Sequence, residues 1–82
     1  PTPIVRLNRA IAIAEHRGPQ EALGILAGIG LDRHHLYHAA RADLLEKVGR
    51  IEDAVTAYER AIALTTNLAE RDHLDRRRRA LS

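Results

Sequence analysis

The sequence predicts an all-α chain, and three observations lead there. Proline and glycine divide it into segments of helical length, and no segment alternates apolar and polar residues over the length of a strand. The third is an internal echo: Glu15-His16-Arg17-Gly18 returns 31 residues later as Glu46-Lys47-Val48-Gly49, each time closing one helical segment just before another opens. Eighty-two residues leave room for one core. Of the apolar residues, 14 are alanine, 21 are Leu, Ile or Val, and two tyrosines are the only aromatics. Such a core must be made of close-packed helices with small contact residues.

The first helix is expected from Ile4 to Arg17, stopped by Gly18, with Ile4, Leu7, Ile11 and Ala14 along its inner stripe. Val5, Ala12 and Ile13 form a second apolar side, which calls for a second neighbour. Pro19 suits a first helical turn, so the next helix runs to about Ala27 with Ala22, Leu23, Leu26 and Ile29 inward, and Gly28 and Gly30 end it. Asp32 is the expected N-cap of a third helix from Arg33 to Val48, which Gly49 stops. The fourth, Ile51 to Thr65, carries Ile51, Ala54, Val55, Tyr58, Ala61 and Ile62 on one stripe. Asn67 followed by Glu70 has the spacing of a capping box and opens a fifth helix, whose thin apolar content is Leu68, Ala69, Leu74, Ala80 and Leu81.

The chain thus reads as helix pair 4–28, helix pair 33–65 and a capping helix 68–81, in one domain covering residues 1–82. The second pair resembles the tetratricopeptide (TPR) repeat: Ala42, Leu45, the turn glycine Gly49, then Ala54, Tyr58 and Ala61. Small side chains let helix axes approach, and Tyr58 fills the groove between pairs. His38 stands where the family usually has Trp, and Thr66 where it ends on proline. The resemblance implies a TPR-like, right-handed array of antiparallel helix pairs.

A narrower resemblance covers nearly the whole chain. Leu7-Asn8-Arg9-Ala10 within Val5 to Gly18, His38-Ala39-Ala40-Arg41-Ala42-Asp43-Leu44-Leu45 within His35 to Gly49, and Ala69-Glu70-Arg71 resemble the C-terminal extension of bacterial extracytoplasmic-function (ECF) sigma factors. That group carries a TPR-like helical domain behind its promoter-reading regions. It implies an accessory protein-interaction domain, tuning transcription initiation through contacts with the sigma core, RNA polymerase or a regulator. The full protein would bind promoter DNA; this part would not. The alternative is a TPR scaffold of an unrelated protein that binds a peptide or helix, and a nucleic-acid-binding helical module is a third class. The absence of methionine and the opening Pro1-Thr2-Pro3 suggest a piece of a longer protein.

On the first helix of each pair, the residues expected to form a protein-binding face are Asn8, Ala12, Glu15 and His16 with Ala39, Asp43, Glu46 and Lys47. Val5 and Ile13 are the expected apolar contact to missing upstream chain. Glu15 and Glu46 recur in the two pairs and read as residues of a solvent face.

Other chemistry is poorly supplied. Without cysteine there is no disulfide, thiolate metal site or thiol nucleophile, and the one serine is Ser82, so no enzyme and no cofactor is expected. His34 and His38 share a helix side at i, i+4, but a third metal ligand is missing nearby, and His16 and His73 have no evident partner. Residues 1–67 carry eight basic and eight acidic side chains, so the net charge of +2 lies wholly beyond Asn67. There Asp72 with Arg76 and Asp75 with Arg79 are favourable i, i+4 pairs, leaving Arg77 and Arg78 as the free cations and too few for useful DNA binding. No apolar run approaches the ~20 residues of a bilayer span. The protein is accordingly expected to be soluble and cytoplasmic.

Overall fold

A computed structural model describes residues 3–81. It contains five α-helices and, among those residues, no strand: α1 (Pro3–Arg17), α2 (Pro19–Leu26), α3 (His35–Lys47), α4 (Ile51–Leu64) and α5 (Leu68–Leu81). Each helix packs on the next in sequence, α3 against α4 most extensively, and α1 also touches α3. The Cα atoms span 30 × 26 × 16 Å, and the short dimension is that of two helix layers at the usual ~8–10 Å spacing. No described helix is long and apolar enough to cross a membrane.

The turns follow from local chemistry. Gly49 has φ +85°, its N–H bonds the Glu46 carbonyl at 3.1 Å and the next N–H, of Arg50, bonds the Leu45 carbonyl at 2.9 Å. This is a Schellman ending, which needs a left-handed residue just past the helix. Gly18, at φ +94°, turns the chain between α1 and α2 by a different geometry, its N–H bonding the Ala14 carbonyl at 3.1 Å, and Pro19 enters α2 where its missing N–H costs nothing.

One helix start and one cap differ from the expectation. The third helix begins at His35, not Arg33, because the His34 N–H bonds back to the Leu31 carbonyl at 2.9 Å and holds Asp32 and Arg33 in a turn. His34 is then the cap, its Nδ1 accepting the Leu36 N–H at 3.2 Å, while Asp32 offers its carbonyl to His38 Nε2 at 2.6 Å. At α5 only half of the capping box forms. Asn67 Oδ1 accepts the Glu70 N–H at 2.9 Å, but the Asn67 N–H goes to the Thr65 hydroxyl at 3.2 Å, and Glu70 reaches across to His35.

The core has two lobes. One joins Leu7 and Ala10 of α1 to Ala22 and Leu26 of α2, with Ile29 and Leu44. The other joins Ala42 and Leu45 of α3 to Ala54, Ala57, Tyr58 and Ala61 of α4 and Leu74 of α5. Leu23 packs against both. Five alanines, Ala10, Ala22, Ala42, Ala54 and Ala61, are fully buried between the helices, where a small side chain permits close approach.

Two expected stripes are corrected, and the thin apolar content of α5 is mostly exposed. On α1 the buried side is Leu7 with Ala10, and Ile11 is 41% exposed, because α2 and α3 meet the helix on the alanine side. On α4, Ala57 is buried in place of Ile51, which sits at the exposed first turn. On α5 only Leu74 is buried and Leu81 partly so, whereas Leu68 is 73% exposed.

Candidate functional site

The α1 and α3 helices converge without closing, and the gap between them is a groove of about 160 Å³. Its apolar wall is Ile11 and Ala14 of α1 with Ala40 and Leu44 of α3, and Pro19 ends it at the start of α2. Glu15, Asp43 and Lys47 line its rim. The geometry follows from helical spacing: Ile11 with Glu15, Ala40 with Leu44, and Asp43 with Lys47 are i, i+4 pairs that stack on one side of their helix. Lys47 Nζ lies 2.8 Å from one Asp43 oxygen, an exposed intrahelical pair. Glu15 has no charged or hydrogen-bonding partner among the described residues. The rim therefore offers one unpaired carboxylate over an apolar floor.

Of the residues expected on this face, Glu15, Asp43 and Lys47 come together here. Asn8, Ala12 and His16 are exposed on α1 beyond the groove lining. Ala39 turns toward the Tyr58 lobe instead. Glu46 is not a residue of the solvent face: it accepts the Tyr58 hydroxyl at 2.8 Å and Arg77 Nη2 at 3.0 Å. On α1's other flank Val5 is 47% exposed and Ile13 half-buried. Ile11, Ala40 and Leu44 were readable only as generic apolar positions, and what marks them is that both pairs face the same gap.

A polar cluster closes the opposite end of the stack. Arg77 of α5 also reaches the second Asp43 oxygen at 3.3 Å, and its guanidinium lies 5.9 Å from the centre of the Tyr58 ring. Burial first, and then the bond to Glu46, hold the Tyr58 hydroxyl well above the ordinary tyrosine range, while the Glu46 bond chiefly raises the Arg77 guanidinium. Asp75 is held below the usual carboxylate range by its bonds from Arg78, at 2.9 Å, and from Arg79. With Arg76 paired to Asp72 at 3.2 Å, each of the four consecutive arginines has a carboxylate. The expectation that Arg77 and Arg78 are free is thus corrected. Arg77 finds its partners on α3, 31 and 34 residues away, which no local pattern shows.

Three of the five histidines, His34, His35 and His38, are engaged by neighbouring groups. His34 stacks on His35 with centroids 4.9 Å apart, and His35 Nδ1 is 2.5 Å from Glu70 Oε1, tying α3 to the start of α5. Among the described residues no group of three or more His, Cys, Asp and Glu side chains is placed to hold a metal ion.

No family model matches the chain. No solved structure matches it. Over 72 residues, 85% of the chain, it is 44% identical to an uncharacterized protein of Rhizobium meliloti (strain 1021). That stretch is 17% of the relative, so the chain corresponds to about a sixth of a much longer protein.

Proposed function

We propose that the chain is a TPR-like interaction module, the accessory C-terminal domain of an ECF-type sigma factor. It modulates transcription initiation by holding a segment of the sigma core, RNA polymerase or a regulator in the α1–α3 groove. The observation that carries this reading is the groove itself: Ile11, Ala14, Ala40 and Leu44 under a rim of Glu15, Asp43 and Lys47. The recurrence of a left-handed glycine 31 residues apart, each joining a helix to its neighbour, supports the repeat architecture. The 17% share of a longer relative suits an accessory part of a larger protein. The carboxylates that engage all four arginines from Arg76 to Arg79 support action through protein contact over direct DNA binding.

The test is a photo-crosslinking residue placed at Ile11 or Lys47 in the full-length protein, with RNA polymerase present. Crosslinks to the sigma core or polymerase subunits are expected, together with altered promoter-dependent transcription when residues 3–81 are deleted. Crosslinks confined to a protein outside the transcription machinery would favour the free TPR scaffold. A sequence-dependent complex between the isolated chain and duplex DNA at about 150 mM salt, tighter than the ~10⁻⁴–10⁻⁶ M of nonspecific binding, would overturn the protein-contact reading.

A further inference from the structure

A second groove, of about 270 Å³, runs between α2, α3 and the start of α4. Its lining includes Gln20, Leu23 and Gly24 of α2, Tyr37 and Arg41 of α3, and Arg50. On α3 this side lies roughly a third of a turn from the α1–α3 groove, counting ~100° per residue. No carboxylate lines it. The Gln20 amide, the Tyr37 hydroxyl and the Arg41 guanidinium make no hydrogen bond or ion pair with other described residues. Arg50 is different, since Asp53 accepts from both its Nε and Nη2, at 2.9 and 2.6 Å, and balances its charge. The groove's uncompensated charge is therefore the single cation of Arg41.

Gly24 points to the same place independently. It lies in the middle of α2, is exposed, and has no left-handed φ; a Cβ built there meets nothing within 4 Å. Glycine inside a helix costs about 0.5–1 kcal/mol against alanine, and nothing in the chain requires the missing side chain. Its effect is to leave the backbone of α2 open to whatever lies in the groove.

We infer that this groove binds an acidic peptide segment of a partner protein, seating one aspartate or glutamate carboxylate on Arg41 and an apolar neighbour on Leu23, against the bare backbone at Gly24. One uncompensated cation matches a monoanionic carboxylate, whereas a phosphate dianion would be left half-neutralised. Gln20 and Tyr37 supply neutral donors for the remaining lone pairs. The site is separate from the α1–α3 groove and holds whether or not a sigma factor surrounds it.

The test is a nuclear magnetic resonance titration of the whole chain with an acetylated peptide carrying one glutamate between two leucines. Its glutamine counterpart and inorganic phosphate serve as the other titrants. The glutamate peptide is expected to shift the Gly24 amide and the Arg41 Nε resonance, with affinity falling about fivefold for the glutamine peptide or in Arg41→Gln, as for a half-exposed ion pair. Gly24→Ala should raise Tm by about 3–6 °C, as removing a helix-interior glycine from a small domain does, and yet weaken the peptide. Equal binding of the two peptides, an unchanged affinity in the more stable Gly24→Ala, or phosphate displacing the peptide at lower concentration would each overturn the inference.

Discussion

The two ends of this helical stack are finished in different ways. At the α1 end the lobe of Leu7, Ala10, Ala22, Leu26, Ile29 and Leu44 is held by apolar packing, and the ion pair of Arg17 with Glu21 at 3.2 Å lies on the surface. Ile11 and Val5 remain 41% and 47% exposed. At the α5 end one buried leucine, Leu74, is supplemented by polar ties to α3: His35 with Glu70 at one point, and Arg77 with Asp43 and Glu46 at another. A last helix with little apolar surface needs such directional contacts to be placed at all, and it shows water a charged outer face. Both ends keep apolar surface exposed, Leu68 at 73% on α5 as well as Val5 and Ile11 on α1, and such surface is what a contact with another protein segment uses; the ends differ in how they are held.

The largest expected effect lies in the α5-side lobe. Tyr58→Ala removes a side chain 2% exposed from the junction of α3, α4 and α5 and should cost about 3–5 kcal/mol in chemical denaturation. A loss below about 1 kcal/mol would mean that Tyr58 is not what separates these helices. Leu26→Ala, the counterpart in the α1-side lobe, should cost about 2–5 kcal/mol. Leu23 packs on both lobes, so in Leu26→Ala far-ultraviolet circular dichroism and the Tyr58 environment are expected to report one shared transition. Separate transitions would break the comparison by making the lobes independent.

Arg77→Ala should destabilise by about 1 kcal/mol, its side chain being 40% exposed and its ties to Asp43 and Glu46 correspondingly screened by water. The neighbouring Arg76→Ala, which loses only an exposed intrahelical pair, is expected to stay within ~0.5 kcal/mol. Raising salt toward 1 M should narrow the gap between the two, and equal costs at low salt would show that Arg77 ties nothing across helices.

The smallest effect is a pH dependence at the end of α5. Asp75 ordinarily titrates at 3.8 and is held lower in the folded chain by Arg78 and Arg79. Its contribution is therefore fully present above 3.8 and is lost as pH falls through the lowered folded value. Amide chemical shifts of residues 76–81 should report fraying in that acid range, and Asp75→Asn should remove the pH step.

Much of the architecture was legible because it is local. Gly18 and Gly49 must adopt left-handed φ to end their helices, and Pro19 and Asn67 mark helix starts whatever packs on them. Where two local caps compete, as Asp32 and His34 do before α3, the Leu31 to His34 turn decides, and residue type alone ranks them wrongly. Of the expected binding face, Glu15, Asp43 and Lys47 share one groove because i, i+4 spacing survives folding. Ala39 and Glu46 were legible as residues of α3 but not as residues of its far side.

By itself the sequence determined an all-helical chain, its breaks, and the small residues that let its helices approach, since these depend on φ preferences, capping and side-chain volume over a few neighbours. Only the tertiary structure decided which arginine of four crosses to α3 and which apolar residues of α1 stay exposed. It also decided that Gly24 and Arg41, 17 positions apart, face one groove. Those outcomes depend on how each helix is rotated against the next, and with small alanines filling much of the core that rotation is set by the sum of many contacts and not by any residue's own preference.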